Sequence, residues 1–186
     1  ARPICEKIKV VPTVINTDIF SPIIEEKTKR DFLRIGWIGT PTTYKQYLDD
    51  RLPLLKDLAV KERCRIHIMG ASKNVISQDS LVEVEEWRQD RETQFIQSLD
   101  IGIMPLNDTP WARGKCGFKL IQYMSCGLPV VASPVGVNCD IVEHGVNGFL
   151  AETDEEWSRS LKSLLNNKDL RKKMGEAGRK KIKSEF

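Results

Sequence analysis

The sequence lacks the short motifs by which several classes of nucleotide- and metal-binding proteins are recognised. No G-x-G-x-x-G follows any strand-like stretch, so the dinucleotide-binding fingerprint is absent, and no P-loop is present. No D-x-D pair occurs, which removes the usual pattern for a metal-held nucleotide sugar. We therefore expect the protein to work without a cofactor and without a bound metal ion.

Long apolar runs and metal-type cysteine spacing are also missing. No stretch approaches the ~20 apolar residues that a membrane-spanning helix needs, and no signal peptide opens the sequence. The five cysteines are odd in number and include no C-x-x-C pair, which favours free thiols in a reducing cytoplasm. A net charge of +3 is too small to indicate nucleic-acid binding. We expect a cytoplasmic protein with no nucleic-acid partner.

Apolar runs and amphipathic stretches alternate along the chain, which indicates an α/β fold. The strand-like stretches are residues 7–15, 35–39, 65–70, 82–87, 101–105, 130–132 and 148–151. The stretches with helical character are residues 44–61, 92–99, 118–126, 137–144, 154–165 and 169–183. With 186 residues, 40% of them hydrophobic, the chain can build one substantial core. We predict a doubly wound, mostly parallel sheet of about six strands flanked by helices.

Three positions near the first predicted helix give specific expectations. Thr40 opens a polar loop that contains good N-cap candidates. Lys45 falls in the first turn of the helix predicted for residues 44–61, where a cation opposes the helix dipole unless an anion lies nearby. Pro53 is expected to bend or split this helix.

The sequence is organised around residues 114–133, GKCGFKLIQYMSCGLPVVAS. Leucine, isoleucine and methionine at helical spacing give one apolar face to a helix over residues 118–126. Gly127 suits the left-handed position that ends helices. The run at 130–132 lacks alternation, as expected for a strand buried on both faces. Together with the strand at 101–105, these elements form a predicted βαβ unit.

The loop before the central helix is the predicted binding site. It leaves the carboxyl end of one predicted strand and leads to a helix N-terminus, where open parallel sheets bind ligands and free N–H groups attract anions. Arg113, Lys115 and Lys119 crowd this helix start. Gly114 and Gly117 allow a ligand to approach the backbone. The coincidence favours a phosphate group, and the alternative is that the cations are solvated loop charges.

Two reactive side chains are interpreted as structural. His67 lies within a predicted strand, and we expect a hydrogen-bonded core or edge residue rather than a catalytic base. Cys116 has no plausible base beside it in sequence, so it is interpreted as a small filler rather than a nucleophile.

Basic residues are concentrated near the end of the sequence, in the predicted helix at residues 169–183. A basic amphipathic helix can contact an anionic membrane, which would place the protein peripherally at the inner membrane face. A solvated outer helix face is the more common outcome, and the sequence leaves both alternatives open.

The run at residues 123–151, YMSCGLPVVASPVGVNCDIVEHGVNGFLA, closely resembles the C-terminal, donor-binding domain of group 1 glycosyltransferases. That family has a stretch written E-A-M-A-x-G-x-P-V-V-A-S, a glycine-rich turn and an N-G-F/L-L ending. Residues 10–22 are similar to its entry segment, residues 39–45 to its G-R-L-x-x-x-K-G loop, and residues 169–186 to its closing helices. The resemblance covers nearly the whole chain.

The resemblance implies one half of a GT-B fold, which is a Rossmann-like domain, and a retaining transferase. Such an enzyme moves a sugar from a nucleoside diphosphate donor to an acceptor, here a glycan or lipid-linked glycan. This chain would be a single C-terminal donor-binding domain whose partner is the enzyme's own N-terminal acceptor domain, and alone it would bind donor but transfer poorly. Two alternatives are a binding module without transferase activity and half of a sugar-nucleotide epimerase.

The resemblance also implies a set of donor-binding residues. In the family, two glutamates separated by seven residues contact the donor; their positions are Gly114 and Gln122 here, with Asp108 as a candidate substitute for the first. The family's loop arginine is replaced by Thr40, and its lysine is kept as Lys45. No catalytic residue is assigned. The predicted donor-binding residues are Gly39, Thr40, Lys45, Arg113, Lys115, Gly117, Phe118, Lys119 and Gln122.

Overall fold

Six parallel strands form one sheet in a computed structural model that describes residues 11–23, 30–72 and 79–186. The strands are β1 (Leu33–Ile38), β2 (Cys64–Met69), β3 (Val82–Glu85), β4 (Ile101–Met104), β5 (Val130–Ala132) and β6 (Gly148–Leu150). Their spatial order is β3-β2-β1-β4-β5-β6, and every neighbouring pair is parallel. This is the strand order of a Rossmann fold, so the predicted α/β class and the strand number are confirmed.

Helices cover both faces of the sheet. They are α1 (Pro41–Tyr47), α2 (Leu52–Lys61), α3 (Gln89–Gln97), α4 (Pro110–Arg113), α5 (Phe118–Ser125), α6 (Asn138–Ile141), α7 (Asp154–Asn166) and α8 (Lys168–Glu185), with a short 3₁₀ turn at Asp49–Arg51. Within the described ranges, no helix combines the length and the apolar character that crossing a membrane requires.

The core has two parts, one on each face of the sheet. On one face α2 and α7 pack against the sheet with fully buried side chains that include Leu55 and Trp157. On the other face α3 and α5 do so with Ile96 and Leu120. Glycine at position 36 of β1 makes room for this second layer, because a Cβ there would lie 2.1 Å from Leu99 Cδ1. Alternate side chains of a strand point to opposite faces, which allows one strand to serve both layers.

The predictions for the N-terminal segment and the first helix need correction. Part of the strand predicted at residues 7–15 lies outside the described residues, and its described part, from position 11, is not a strand. The helix predicted for residues 44–61 starts earlier, at Pro41, and is divided into α1 and α2. Pro53 lies at the start of α2, where a proline costs no helical hydrogen bond, so the expected split occurs just before it.

The segment before β1 is attached to the C-terminal helix. The guanidinium of Arg179 donates to the carbonyl oxygens of Thr17 and Phe20, at 3.3 and 3.2 Å, and also to that of Ser125. Asn16 closes a turn through its side-chain oxygen, which accepts from two backbone N–H groups further along. The turn predicted at residues 16–18 is therefore present, and α8 holds it against the domain.

A buried tyrosine joins the helix α5 to the sheet by a hydrogen bond. The backbone N–H of Ile38, at the end of β1, donates to the hydroxyl oxygen of Tyr123 at 3.0 Å. Glycine at position 102 of β4 leaves space for this ring, since a Cβ there would lie 2.5 Å from it. Gly127 follows the helix with φ of +73°, as predicted for the residue that ends it. The end of β1 is thereby held next to α5.

Candidate functional site

A cleft of about 560 Å³ opens at the carboxyl edge of the sheet. Its lining comes from the ends of β1, β2 and β3 and from the helices α1, α3 and α5. The lining residues are Ile38, Gly39, Thr40, Pro41, Gly70, Trp87, Glu92, Phe118, Lys119 and Gln122. Ligands of open α/β sheets bind at this edge, near the point where the strand order reverses. Here that point lies between β1 and β4, and the cleft is lined by the end of β1 and by α5, which lies between β4 and β5 in the sequence.

The floor of the cleft is formed by backbone packed too tightly for larger side chains. Gly70 follows β2 with φ of +88°, and a Cβ on it would lie 2.0 Å from the carbonyl oxygen of Gly39. Gly39 is equally restricted, because a Cβ there would lie 2.7 Å from the hydroxyl of Thr43. These two glycines let the loops after β1 and β2 touch and keep the cleft open above them.

Thr40 caps the first helix beside the cleft. Its side-chain oxygen accepts from the backbone N–H of Thr43 at 3.2 Å, and the Thr43 hydroxyl accepts from the backbone N–H of Thr40 at 2.9 Å. This reciprocal pair is a capping box, with Pro41 in the first turn. The predicted N-cap character of this loop is therefore correct, and it places the start of α1 at the cleft.

The amine of Lys119 is the cation within the cleft. It belongs to the first turn of α5, and its Nζ lies 5.1 Å from the ring centroid of the buried Trp37. Burial lowers the pKa of Lys119, and with the smaller effect of the Lys115 charge the pKa falls to about 8. Among the described residues no carboxylate pairs with it. A lysine in this state gains from an anion that enters the cleft, because the anion offsets both causes of the shift.

Lys115 lies close to Lys119 but outside the lining of the cleft. Its Nζ is 5.0 Å from the ring centroid of Tyr47, which holds the side chain as a cation–π contact. The hydroxyl of Tyr47 is buried and finds no hydrogen-bond partner among the described residues. Lys115 lies just before α5 and Lys119 lies in its first turn, so the two lysines make the start of this helix positively charged.

Gln122 presents an unused amide to the cleft. The residue is only 2% exposed, and its Nε2 has no hydrogen-bond partner in the described part of the chain. An unsatisfied buried amide costs roughly 1–3 kcal/mol, so such groups are rare unless a ligand or water uses them. Because Gln122 also lines the cleft, its amide is available to a ligand there.

The start of α5 is shaped by a glycine in the left-handed region. Gly117 caps the helix with φ of +69°, and a Cβ on it would lie 2.4 Å from Ile141 Cδ1. The next residue, Phe118, is 37% exposed and faces the cleft. Because residue 117 has no side chain, an anion can approach the first N–H groups of α5 closely.

The predicted donor-binding residue Lys45 lies away from the lining of the cleft. Lys45 is in the last turn of α1, not in a first turn, because the helix begins at Pro41. It pairs with Asp49, and its side chain is 75% exposed. In this position a cation is favourable to the helix dipole, so the expected conflict with the dipole was wrong.

Arg113 and Asp108 satisfy each other on the loop between β4 and α5. The arginine Nε and Nη2 donate to the two carboxylate oxygens at 2.6 and 2.7 Å. This bidentate pair lowers the pKa of Asp108 and raises that of Arg113. Neither residue is in the lining of the cleft. Gly114 is the C-cap residue of α4, and a Cβ on it would make only ordinary van der Waals contacts.

Sequence reasoning missed the side of the cleft formed by β3 and α3. Trp87 follows β3 and is 52% exposed, and its Nε1 lies 3.5 Å from an oxygen of Glu92 in the first turn of α3. Glu92 is half-buried. Both residues stood at the ends of predicted elements, and the rule that ligands bind at the carboxyl edge applied to β3 as much as to β4.

His67 has the structural role expected of it. It is 3% exposed, and its Nε2 lies 2.7 Å from Glu85 Oε1 on the neighbouring strand. Burial lowers the pKa of His67, and Arg34 adds to this effect. Over the described ranges, no group of three or more His, Cys, Asp and Glu side chains is arranged to hold a metal ion.

Comparison with known proteins identifies the family. The model for group 1 glycosyl transferases matches residues 30–167. An uncharacterized glycosyltransferase of Methanocaldococcus jannaschii is 29% identical over 160 residues, covering 81% of this chain. Anabaena HepE, solved in complex with UDP and glucose, has a TM-score of 0.75 at 17% identity and covers 96% of this chain. The C-terminal domain of LpcC, a glycosyl transferase group 1 family protein from Francisella tularensis, has a TM-score of 0.72 at 14% identity and covers 91%.

The relatives are longer than this chain. The matched region makes up 38% of the archaeal relative and 52% of the HepE chain, but 97% of the LpcC C-terminal domain. The chain therefore corresponds in extent to a C-terminal domain that has been solved separately.

Proposed function

Because the chain belongs to the group 1 glycosyl transferases, we propose that its cleft binds a nucleoside diphosphate sugar and that it is the donor-binding domain of a retaining transferase. The acceptor in this proposal is a glycan or a lipid-linked glycan. The enzyme's own N-terminal domain binds that acceptor and closes over the cleft. Solved structures similar to this chain include HepE in complex with UDP-glucose, which supports a nucleotide sugar as the donor.

The observation that carries the proposal is the joint position of Lys119 and Gln122. One cleft at the carboxyl edge contains a lysine that lacks a carboxylate partner among the described residues and an amide without a hydrogen bond. They are three residues apart on α5, so they lie on the same side of the helix and about one turn apart. A diphosphate beside Lys119 and the helix N-terminus places the attached ribose one turn further on, next to Gln122.

The proposed donor site stabilises the leaving group of the reaction. When the bond between the sugar and the diphosphate breaks, negative charge builds up on the diphosphate oxygens. Lys119, the nearby Lys115 and the free N–H groups at the start of α5 face that charge before it develops, which is the arrangement that lowers a reaction barrier. Gly114 brings no carboxylate to the sugar, so this chain contributes mainly diphosphate binding.

Titration calorimetry of this chain with UDP and GDP, with and without EDTA, tests the proposal. We expect saturable binding that EDTA does not abolish, because the described residues offer cations and no metal-binding cluster. Absence of binding by both nucleotides would contradict the proposed function. Strict dependence on Mg²⁺ or Mn²⁺ would contradict the metal-free site.

We also propose a cytoplasmic location with peripheral membrane contact through α8. The helix buries Met174, Gly178 and Ile182, and its lysines other than the half-buried Lys181 are exposed. A basic outer face gains roughly 1 kcal/mol per lysine near an anionic surface. Co-sedimentation of the chain with vesicles containing anionic or only neutral lipids tests this contact; equal recovery with both would contradict it.

A further inference from the structure

Glu92 is an unusual group to find in an anion-binding cleft. It lines the same cleft as Lys119, yet no lysine or arginine of the described residues forms an ion pair with it. The hydrogen bond that Glu92 does make is a long one, 3.5 Å, from the indole N–H of Trp87. Its carboxylate oxygens therefore keep most of their accepting capacity, and a ligand that approaches them must bring donors.

The position of Glu92 identifies which part of a nucleotide it meets. Trp87 follows β3, whereas Lys119 belongs to the helix after β4. Three strand spacings separate β3 from β4 in the sheet order, which is roughly 14 Å at about 4.8 Å per strand. A nucleotide with its diphosphate at Lys119 and its ribose at Gln122 extends its base toward Trp87 and Glu92. The exposed indole offers a flat face on which a base can stack.

The chemistry of a carboxylate selects among bases. The Watson–Crick edge of guanine presents two adjacent donors, N1–H and the 2-amino group, which match the two oxygens of one carboxylate. Uracil presents a single N–H between two carbonyl oxygens, and both of these repel a carboxylate. Adenine presents one amino group beside an accepting ring nitrogen. Only guanine gives the bidentate pairing that makes such contacts strong.

We propose that Glu92 reads the base of the donor nucleotide and makes the cleft selective for guanosine diphosphate sugars over uridine diphosphate sugars. The inference rests on the proposed function and adds the base that the site prefers. Trp87 stacks on the base and holds the Glu92 carboxylate at its edge, while Lys119 and Gln122 bind the parts common to all nucleoside diphosphates.

The test compares GDP, IDP and UDP by calorimetric titration of the chain and of two variants. IDP is GDP without the 2-amino group, so it removes one of the two donors. We expect the parent chain to bind GDP roughly tenfold or more tighter than UDP, with IDP in between. Glu92→Gln keeps the shape but loses the charge, and it should remove the preference for GDP over IDP and over UDP. Asp90→Asn, in the same first turn but outside the lining, should keep both preferences.

The outcomes distinguish failure of base selection by Glu92 from failure of nucleotide binding itself. If UDP binds as tightly as GDP, or if Glu92→Gln weakens all three nucleotides equally, Glu92 does not read the base and the inference is overturned while nucleotide binding stands. If none of the three binds to the parent chain, the proposed function itself falls, and the inference with it. Intact folding of Glu92→Gln is checked by its thermal unfolding midpoint.

Discussion

At the scale of single residues, the site depends on polar groups whose hydrogen-bonding capacity the described residues do not fully use. Lys119, Gln122 and Glu92 differ in charge, but each faces the cleft with hydrogen-bonding capacity to spare. Elsewhere the domain pairs its charges locally, as Arg113 does with Asp108 and Lys45 with Asp49. Whether a polar side chain is paired locally therefore distinguishes binding residues from surface charges better than its sequence position does.

The pKa of Lys119 predicts a pH dependence of diphosphate binding. With a pKa of about 8 in the free protein, the ammonium is mostly charged at pH 7 and mostly neutral at pH 9. A bound diphosphate favours the charged form of Lys119 and raises its pKa. Diphosphate binding between pH 7 and pH 9 is therefore accompanied by proton uptake. We expect GDP affinity to fall as the pH rises from 7 to 9, and calorimetry in buffers of different ionisation enthalpy to detect proton uptake near pH 8. A pH-independent affinity over this range would argue against contact with Lys119.

Gln122 predicts a difference between ligands with and without ribose. Gln122→Ala removes the free amide, so GDP and UDP should bind several-fold to tenfold more weakly, which corresponds to about one hydrogen bond. Inorganic pyrophosphate should bind as before because it has no ribose. The measurement is a competition titration with both ligand types, and an equal loss for both would show that the contact is elsewhere.

Half of the residues that line the cleft were candidate binding residues from the sequence, and the other half were not, for a physical reason. Lys119, Gln122 and Phe118 lie on one helix with a strong apolar pattern and a glycine at each end, so local sequence indicates where they lie. Glu92 and Trp87 reach the cleft only because β3 is the edge strand and α3 crosses back over the sheet. That placement is a property of the sheet order, which short-range patterns do not contain.

At the scale of elements, buried strands were predicted more accurately than helix starts. Runs such as β4 and β5 are apolar without interruption, and such runs have few alternative structures. The helix α1 was placed too late because its start depends on the Thr40–Thr43 capping box and on Pro41, which are polar or turn-forming residues by composition. The position of Lys45 followed from that start and was wrong with it.

The seat of α5 on the sheet gives a prediction about stability. Gly102→Ala places a Cβ 2.5 Å from the Tyr123 ring, so the ring must move and its hydrogen bond with Ile38 is disturbed. We expect a loss of roughly 1–3 kcal/mol in the free energy of unfolding, measured by urea denaturation. Gly114→Ala is the matched control, because its Cβ would meet nothing closer than 3.5 Å. Equal stability of the two variants would contradict this role of the glycine in β4.

At the scale of the whole molecule, the chain spans only part of the length of the relatives that it matches. It spans 38% of the archaeal relative that it matches, and it covers 97% of a separately solved C-terminal domain. Sugar transfer needs an acceptor beside the donor, and in the proposed function a second domain supplies the acceptor site. Joined to an N-terminal domain of this family, the chain should transfer sugar from its preferred nucleotide sugar, whereas alone it should bind the donor with little or no transfer. Transfer by the isolated chain at the rate of the two-domain protein would contradict this division of roles.

The binding of a diphosphate at Lys119 is the central claim, and one calorimetric comparison tests it most directly. GDP is titrated into the parent chain, into Lys119→Met and into Lys172→Met, whose lysine is 75% exposed on α8. Because Lys119→Met loses a charge-assisted contact, it should bind GDP at least roughly tenfold more weakly than the parent chain. Its affinity for guanosine should change much less. Lys172→Met should bind GDP as the parent chain does. If Lys119→Met binds GDP as tightly as the parent chain, the diphosphate does not lie at the start of α5 and the proposed site is wrong.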